Sequence, residues 1–106
     1  MQVSLSRNIN PNQDTNLKTW LSDQGILFNK LRAKDAAAFK VLYHQYAAAI
    51  FGCIIRSVKD QEKARSILEQ TFCEVWQSFP EYNETNVSIF TWIHRIASRK
   101  IRNFAL

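Results

Sequence analysis

Residues 60–80, DQEKARSILEQTFCEVWQSFP, carry the cleanest periodicity in this chain. Ala64, Ile67, Leu68, Thr71, Phe72, Val75, Trp76 and Phe79 recur at helical spacing, so the stretch predicts a helix with one continuous apolar face. Asp60 stands where a carboxylate can accept from the unpaired N–H groups of a first turn. Glu62 then sits near the positive end of the helix dipole. Pro80 ends the helix after Phe79, because a proline ring disfavours helical backbone in the residue before it. A one-sided helix must bury its stripe against other elements, so its neighbours should carry matching faces.

They do. Upstream, Asp35 is a cap for residues 36–58, AAAFKVLYHQYAAAIFGCIIRSV, where Phe39, Leu42, Tyr43, Tyr46, Ile50 and Ile54 form a second stripe. Gly52 inside it is expected to allow close helix packing. Further upstream, Ser22 is a plausible cap for a short helix with Ile26, Leu27 and Leu31 on one face. Downstream, PEYNETNV is a polar loop. Ser88 or Asn86 then caps a last helix, IFTWIHRIASRKIRNFAL, whose inward face is read as Ile89, Phe90, Ile93, Ile96, Ala97, Ile101 and Phe104. The prediction is an all-α fold, a small bundle of about four helices, two of them long. Residues 1–21 are read as a flexible tail and residues 22–106 as the folded domain.

Composition agrees. In 106 residues there are only two Gly and two Pro, and hydrophobic residues make up 46%. The longest apolar run, AAAIFGCII, is nine residues, whereas a membrane span needs about 20. No signal-peptide pattern opens the chain, so a soluble, cytoplasmic protein without membrane contact is expected. Cys53 and Cys73 match no zinc spacing and read as reduced thiols. His44 and His94 lie on different helices without a motif. With no phosphate-binding glycine loop and no paired acidic motif, neither an enzyme nor a metal or cofactor site is expected.

Two faces remain outside the core. On the last helix, Trp92, Arg95, Arg99 and Arg102 share the side opposite the isoleucines, with Thr91 and Ser98 beside them. Arginines release counterions from phosphates, and an aromatic ring offers an unpaired base a platform. Such a stripe suits single-stranded or opened DNA. It is also what a solvated, dipole-favoured helix end looks like. Lys100 projects toward the apolar side. On the third helix, Ser66, Glu69, Gln70, Cys73 and Gln77 form a polar, thinly charged outer face, suited to another protein's helices or to plain solvent.

The order DAAAFKVLYHQYAAAIFGCI, then DQEKARSILEQTFCEVWQSFPEY, then SIFTWIHRIASRKIRN resembles region 2 of bacterial sigma factors, most closely the extracytoplasmic-function type. The likeness runs from about Leu27 to Phe104. It implies that Ser66, Glu69, Gln70 and Cys73 meet the clamp coiled coil of core RNA polymerase. It also implies that the Tyr82–Ser88 loop, with Phe90, Trp92, Arg95, Arg99, Lys100, Arg102 and Asn103, engages the melted minus-ten promoter element. Arg65-Ser66 stands where that family has an acidic pair, and Glu69-Gln70 reverses its Gln-Glu. Arg99 and Asn103 replace an Asn and an Asp, which makes the DNA face more basic. A complete factor of this type carries a second domain reading the minus-thirty-five element; the chain stops at Leu106, just past this module, and reads either as an excised domain or as a shortened protein, the abrupt NFAL end suggesting truncation. An anti-sigma regulator is a further candidate partner. Two other readings stay open: a protein-interaction module that has lost DNA recognition, and a bundle that dimerises through Trp20 and Phe28.

Overall fold

The computed structural model describes residues 24–105, and these form the expected all-α bundle. Helix α1 covers residues 24–32, α2 runs Ala36–Val58, α3 Gln61–Ser78 and α4 Ile89–Ala105. A 3₁₀ turn, Phe79–Glu81, continues α3 into the last loop. The tail assigned to residues 1–21, the Ser22 cap and Trp20 lie outside the described residues.

Three side-chain caps start the helices. Asp35 Oδ1 accepts from the Ala38 N–H at 3.1 Å, and Asp60 Oδ1 from the Lys63 N–H at 3.2 Å. Ser88, rather than Asn86, caps α4, its Oγ accepting from the Thr91 N–H at 3.3 Å. The connections are tight because the chain turns through left-handed backbone at Lys34 (φ 64°) and Lys59 (φ 62°). The Lys34 ammonium is also placed usefully. It donates to the Trp76 carbonyl, lies 3.4 Å from the Gln77 carbonyl and sits 5.1 Å from the Trp76 ring. A cation there meets the unpaired carbonyls at the end of α3.

Leu42, Ile50 and Ile54 of α2 pack with Ala64, Ile67, Phe72 and Val75 of α3 and Ile93, Ile96 and Ala97 of α4. Thr71 is the one buried polar side chain among the described residues, and its hydroxyl donates to the Ile67 carbonyl at 2.8 Å. A buried hydroxyl without such a partner would be costly. Helix α1 adds Phe28 and Leu31.

Several expectations need correction. Ile26 and Phe104 are 51% and 45% exposed, so neither lines the core. Both lie near the ends of the described helices, where a stripe outruns its neighbours. Gly52 admits no close packing partner, since a Cβ added there would meet only the Arg56 side chain at 3.6 Å. Phe28 is 4% exposed, so it cannot supply a dimer surface. Helix α2 is long and apolar enough to cross a membrane by length and composition, although no single run in it is. Of its residues, Ala38, Leu42, Ile50 and Ile54 are buried in the bundle.

The deepest junction is aromatic. The Phe79 ring lies 5.7 Å from Phe28, 5.4 Å from Tyr82 and 5.8 Å from Trp92, with the Arg32 guanidinium 5.8 Å away on the same ring. It thereby ties α1, the end of α3 and the start of α4. Phe79→Ala is expected to lower unfolding stability by about 3–5 kcal/mol, against about 1 kcal/mol for the Asp60→Ala cap variant. Urea unfolding followed by circular dichroism checks both, and equal effects would contradict this ranking.

Candidate nucleic-acid interface

Helix α4 is the most strongly two-sided helix. Ile89, Ile93, Ile96 and Ala97 are buried, whereas Arg95, Arg99, Arg102 and Asn103 are exposed. Arg95 and Arg102 make no ion pair among the described residues. They stand seven residues apart, about 10 Å along the axis at 1.5 Å per residue.

Trp92 does not stand on the open face. It is half-buried, tilted on Tyr82 with centroids 5.0 Å apart and edge-on to Phe79 at 5.8 Å. The 3₁₀ turn swings Phe79 and Tyr82 under the first turn of α4, and the indole leans on them. Part of the ring remains accessible, so the basic stripe begins at a braced aromatic edge. Phe90, read as inward-facing, is 36% exposed. It lies 6.2 Å from Tyr46 and 5.9 Å from His94, a second aromatic group that the sequence did not disclose. Phe90 also lines a cleft of about 340 Å³ with Tyr46, Tyr82, Glu84 and Ser88.

The loop before α4 holds its own shape. The partly buried Tyr82 hydroxyl donates to the Val87 carbonyl at 2.7 Å. Burial pushes that phenol above its ordinary range, with Glu84 adding to the effect, so it stays neutral and able to donate. Asn83 Oδ1 accepts from the Thr85 N–H at 2.9 Å and from its hydroxyl at 2.6 Å, an Asx turn. Arg32 pairs with Glu84 and fastens the loop to α1.

The sequence reading passed over Glu74. Its carboxylate, on α3, pairs with Arg99 through one oxygen and with Lys100 through the other, the latter at 2.9 Å. Lys100 therefore points toward α3, not along the basic stripe. The Lys100 hydrogen bond is the main influence holding the Glu74 carboxyl below its ordinary value. Partial burial opposes it, and Arg99 adds to it.

The other face is as expected in its exposure. Ser66, Glu69, Gln70 and Cys73 all reach solvent from α3, and the Gln70 amide donates to Ser66 Oγ at 3.3 Å. Beside Glu69 and Cys73 runs an apolar groove of about 600 Å³ between α2 and α3, floored by Phe39, Tyr43, Phe72 and Trp76. Among the described residues no three His, Cys, Asp or Glu side chains gather as a metal-binding group.

A family model described as Sigma-70 region 2 matches residues 42–105. The chain is 24% identical over 79 residues to the "ECF RNA polymerase sigma factor SigK" of Mycobacterium bovis, covering 74% of this chain and 42% of that protein. It is 26% identical over 77 residues to the "RNA polymerase sigma-H factor" of Pseudomonas aeruginosa, covering 73% and 39%. A SigK of Mycolicibacterium vanbaalenii is 26% identical over 74 residues, covering 70% and 38%. The chain thus spans about two fifths of the length of these relatives.

The Glu74 pairing has a pH signature. A carboxyl lowered in the folded state contributes stability that is full above its ordinary value of 4.5 and is lost as pH falls through the folded value. Glu74→Gln should therefore flatten the acid limb of stability below pH 4.5 while leaving the slope between pH 6 and about 8 unchanged. Urea midpoints across pH check this, and an unaltered acid limb would contradict it.

Proposed function

The chain belongs to the sigma-70 region 2 family, of the extracytoplasmic-function type, and we propose that it uses two faces of one bundle in transcription initiation. Helix α3 docks on the clamp coiled coil of core RNA polymerase through Ser66, Glu69, Gln70 and Cys73. Helix α4 and the Tyr82–Ser88 loop hold the melted minus-ten promoter element. The work belongs in the cytoplasm, where chromosomal promoters are.

The observation that carries the DNA half is the presence on α4 of two cations without ion partners among the described residues, together with one exposed and one half-buried aromatic ring. Arg95 and Arg102 are exposed without ion partners among the described residues. Trp92 presents a partly accessible ring edge beside them, backed by Tyr82, and Phe90 presents ring surface on another side of the same helix, against Tyr46. Arginines neutralise phosphates of any sequence, while ring faces reward only bases that have left the helix stack. Together they favour an opened strand over a duplex. Lys100 and Asn103 contribute at the far end, Lys100 less directly because of Glu74.

The polymerase half follows from an exposed polar helix face with little charge, next to an apolar groove. The same groove favours a second reading: docking of an anti-sigma regulator on this fold without DNA recognition. The two readings separate on the α4 side chains.

In fluorescence anisotropy with a single-stranded minus-ten oligonucleotide at low salt, Arg95→Ala should weaken binding by roughly 3- to 10-fold and lower the salt slope by about 0.7. Phe90→Ala should weaken it by roughly 5-fold or more, from the loss of a stacking surface. Neither variant should alter capture by core polymerase, whereas Glu69→Lys should reduce that capture. Capture of a regulator without promoter-specific transcription in a reconstituted system, with oligonucleotide binding unaffected by Arg95→Ala, would favour the regulator-docking module instead.

A further inference from the structure

The basic stripe of α4 is not uniformly available. Between Arg95 and Arg102, which have no ion partner among the described residues, stand Arg99 and Lys100, both held by Glu74 from the neighbouring helix. Both carboxylate oxygens are engaged, one by each cation, so Glu74 bridges two consecutive residues of α4. Its own side chain is 25% exposed, and Lys100 is 24% exposed, so this group is less screened than an open surface pair. Arg99, at 48%, still shows half its side chain to solvent.

We propose that Glu74 is a positioning residue that tethers Arg99 and Lys100 to α3 and so sets how many cations α4 offers to nucleic-acid phosphates. This inference rests on the DNA-binding reading of α4. A phosphate approaching Arg99 must compete with a carboxylate already in place, and Lys100 is drawn from the stripe altogether. The tether therefore trims the sequence-independent part of affinity, which scales with phosphates neutralised, and leaves the aromatic contacts untouched. The consequence is discrimination: an opened strand that can stack on Trp92 and Phe90 gains relative to DNA that offers only phosphates. Glu74 also joins the two faces physically, since its neighbour Cys73 lies on the face assigned to polymerase.

The test compares Glu74→Gln with Glu62→Gln in the intact chain, reading oligonucleotide affinity as a function of salt. Glu62 is exposed on the first turn of α3, twelve residues from Glu74 and without an ion partner among the described residues. Each substitution removes one negative charge, so net charge alone predicts equal effects. The tether predicts that Glu74→Gln steepens the salt slope by about 0.7 for each cation released, up to about 1.4, and that Glu62→Gln leaves it nearly unchanged. Low-salt binding should tighten by roughly 3- to 10-fold for Glu74→Gln, and by a similar factor for minus-ten and scrambled strands. Adding Arg99→Ala to Glu74→Gln should return about 0.7 of the slope. A merely structural role would weaken binding without steepening the slope and would overturn the inference, as would equal slopes for the two glutamine variants. If the unmodified chain binds the strand and Arg95→Ala weakens it, such a failure leaves the DNA-binding reading intact. Absence of binding by every variant at low salt overturns both.

Discussion

Phe79 is the largest fully buried side chain among the described residues, and the aromatic packing of the bundle is centred on its ring. Phe79 is 1% exposed and meets an aromatic from each element around it: Phe28 from α1, Tyr82 from the loop and Trp92 from α4. Pro80 follows it directly and converts the end of α3 into a 3₁₀ turn. That change of helix type is what carries Tyr82 beneath α4. The ring is therefore both the floor of the core and the surface on which the candidate DNA-binding helix starts. Losses there would propagate to Trp92 without touching an exposed atom, since packed interiors transmit strain.

Charge is arranged with comparable economy. A net charge of +5 describes the whole chain, yet it says little about where that charge can act. Arg32 is spent on Glu84, Lys34 on the end of α3, Arg99 and Lys100 on Glu74. Lys63 lies 5.1 Å from the Phe104 ring, bringing α3 and α4 together at their far end. What remains for a phosphate on α4 is chiefly Arg95 and Arg102. Pairs of this kind, partly exposed, contribute little to stability, so their importance lies in which cations they leave open.

The parts legible in the sequence were those decided within one helix. The caps at Asp35 and Asp60 and most of the α3 stripe depend on neighbours three or four residues away and stand as read, whereas Ser88 is one of two caps the sequence offered and Trp76 of the stripe is only half-buried. Periodicity failed where a neighbouring helix was missing. Ile26 and Phe104 fit the stripe of their own helices but have too little opposite them, and Phe90 turned to Tyr46 instead. Helical projection put Trp92 outward because it cannot see the 3₁₀ turn that draws the ring aside. Glu74 had no signal at all, because its partners lie 25 and 26 residues away on another element. The exposed α3 face was located from phase alone, and the likeness in motif order assigned it a partner.

The loop before α4 separates the groups that hold it from those it displays. Tyr82 and Val87 close it by a hydroxyl-to-carbonyl bond, Asn83 folds its tip, and Glu84 anchors it to α1. Thr85 and Asn86 are exposed at the tip, and the Asn86 side chain takes no part in this frame. Drift at such a tip carries little penalty in folding. Substitution of Asn86 therefore changes the surface shown at the tip while the bonds that close the loop stay in place.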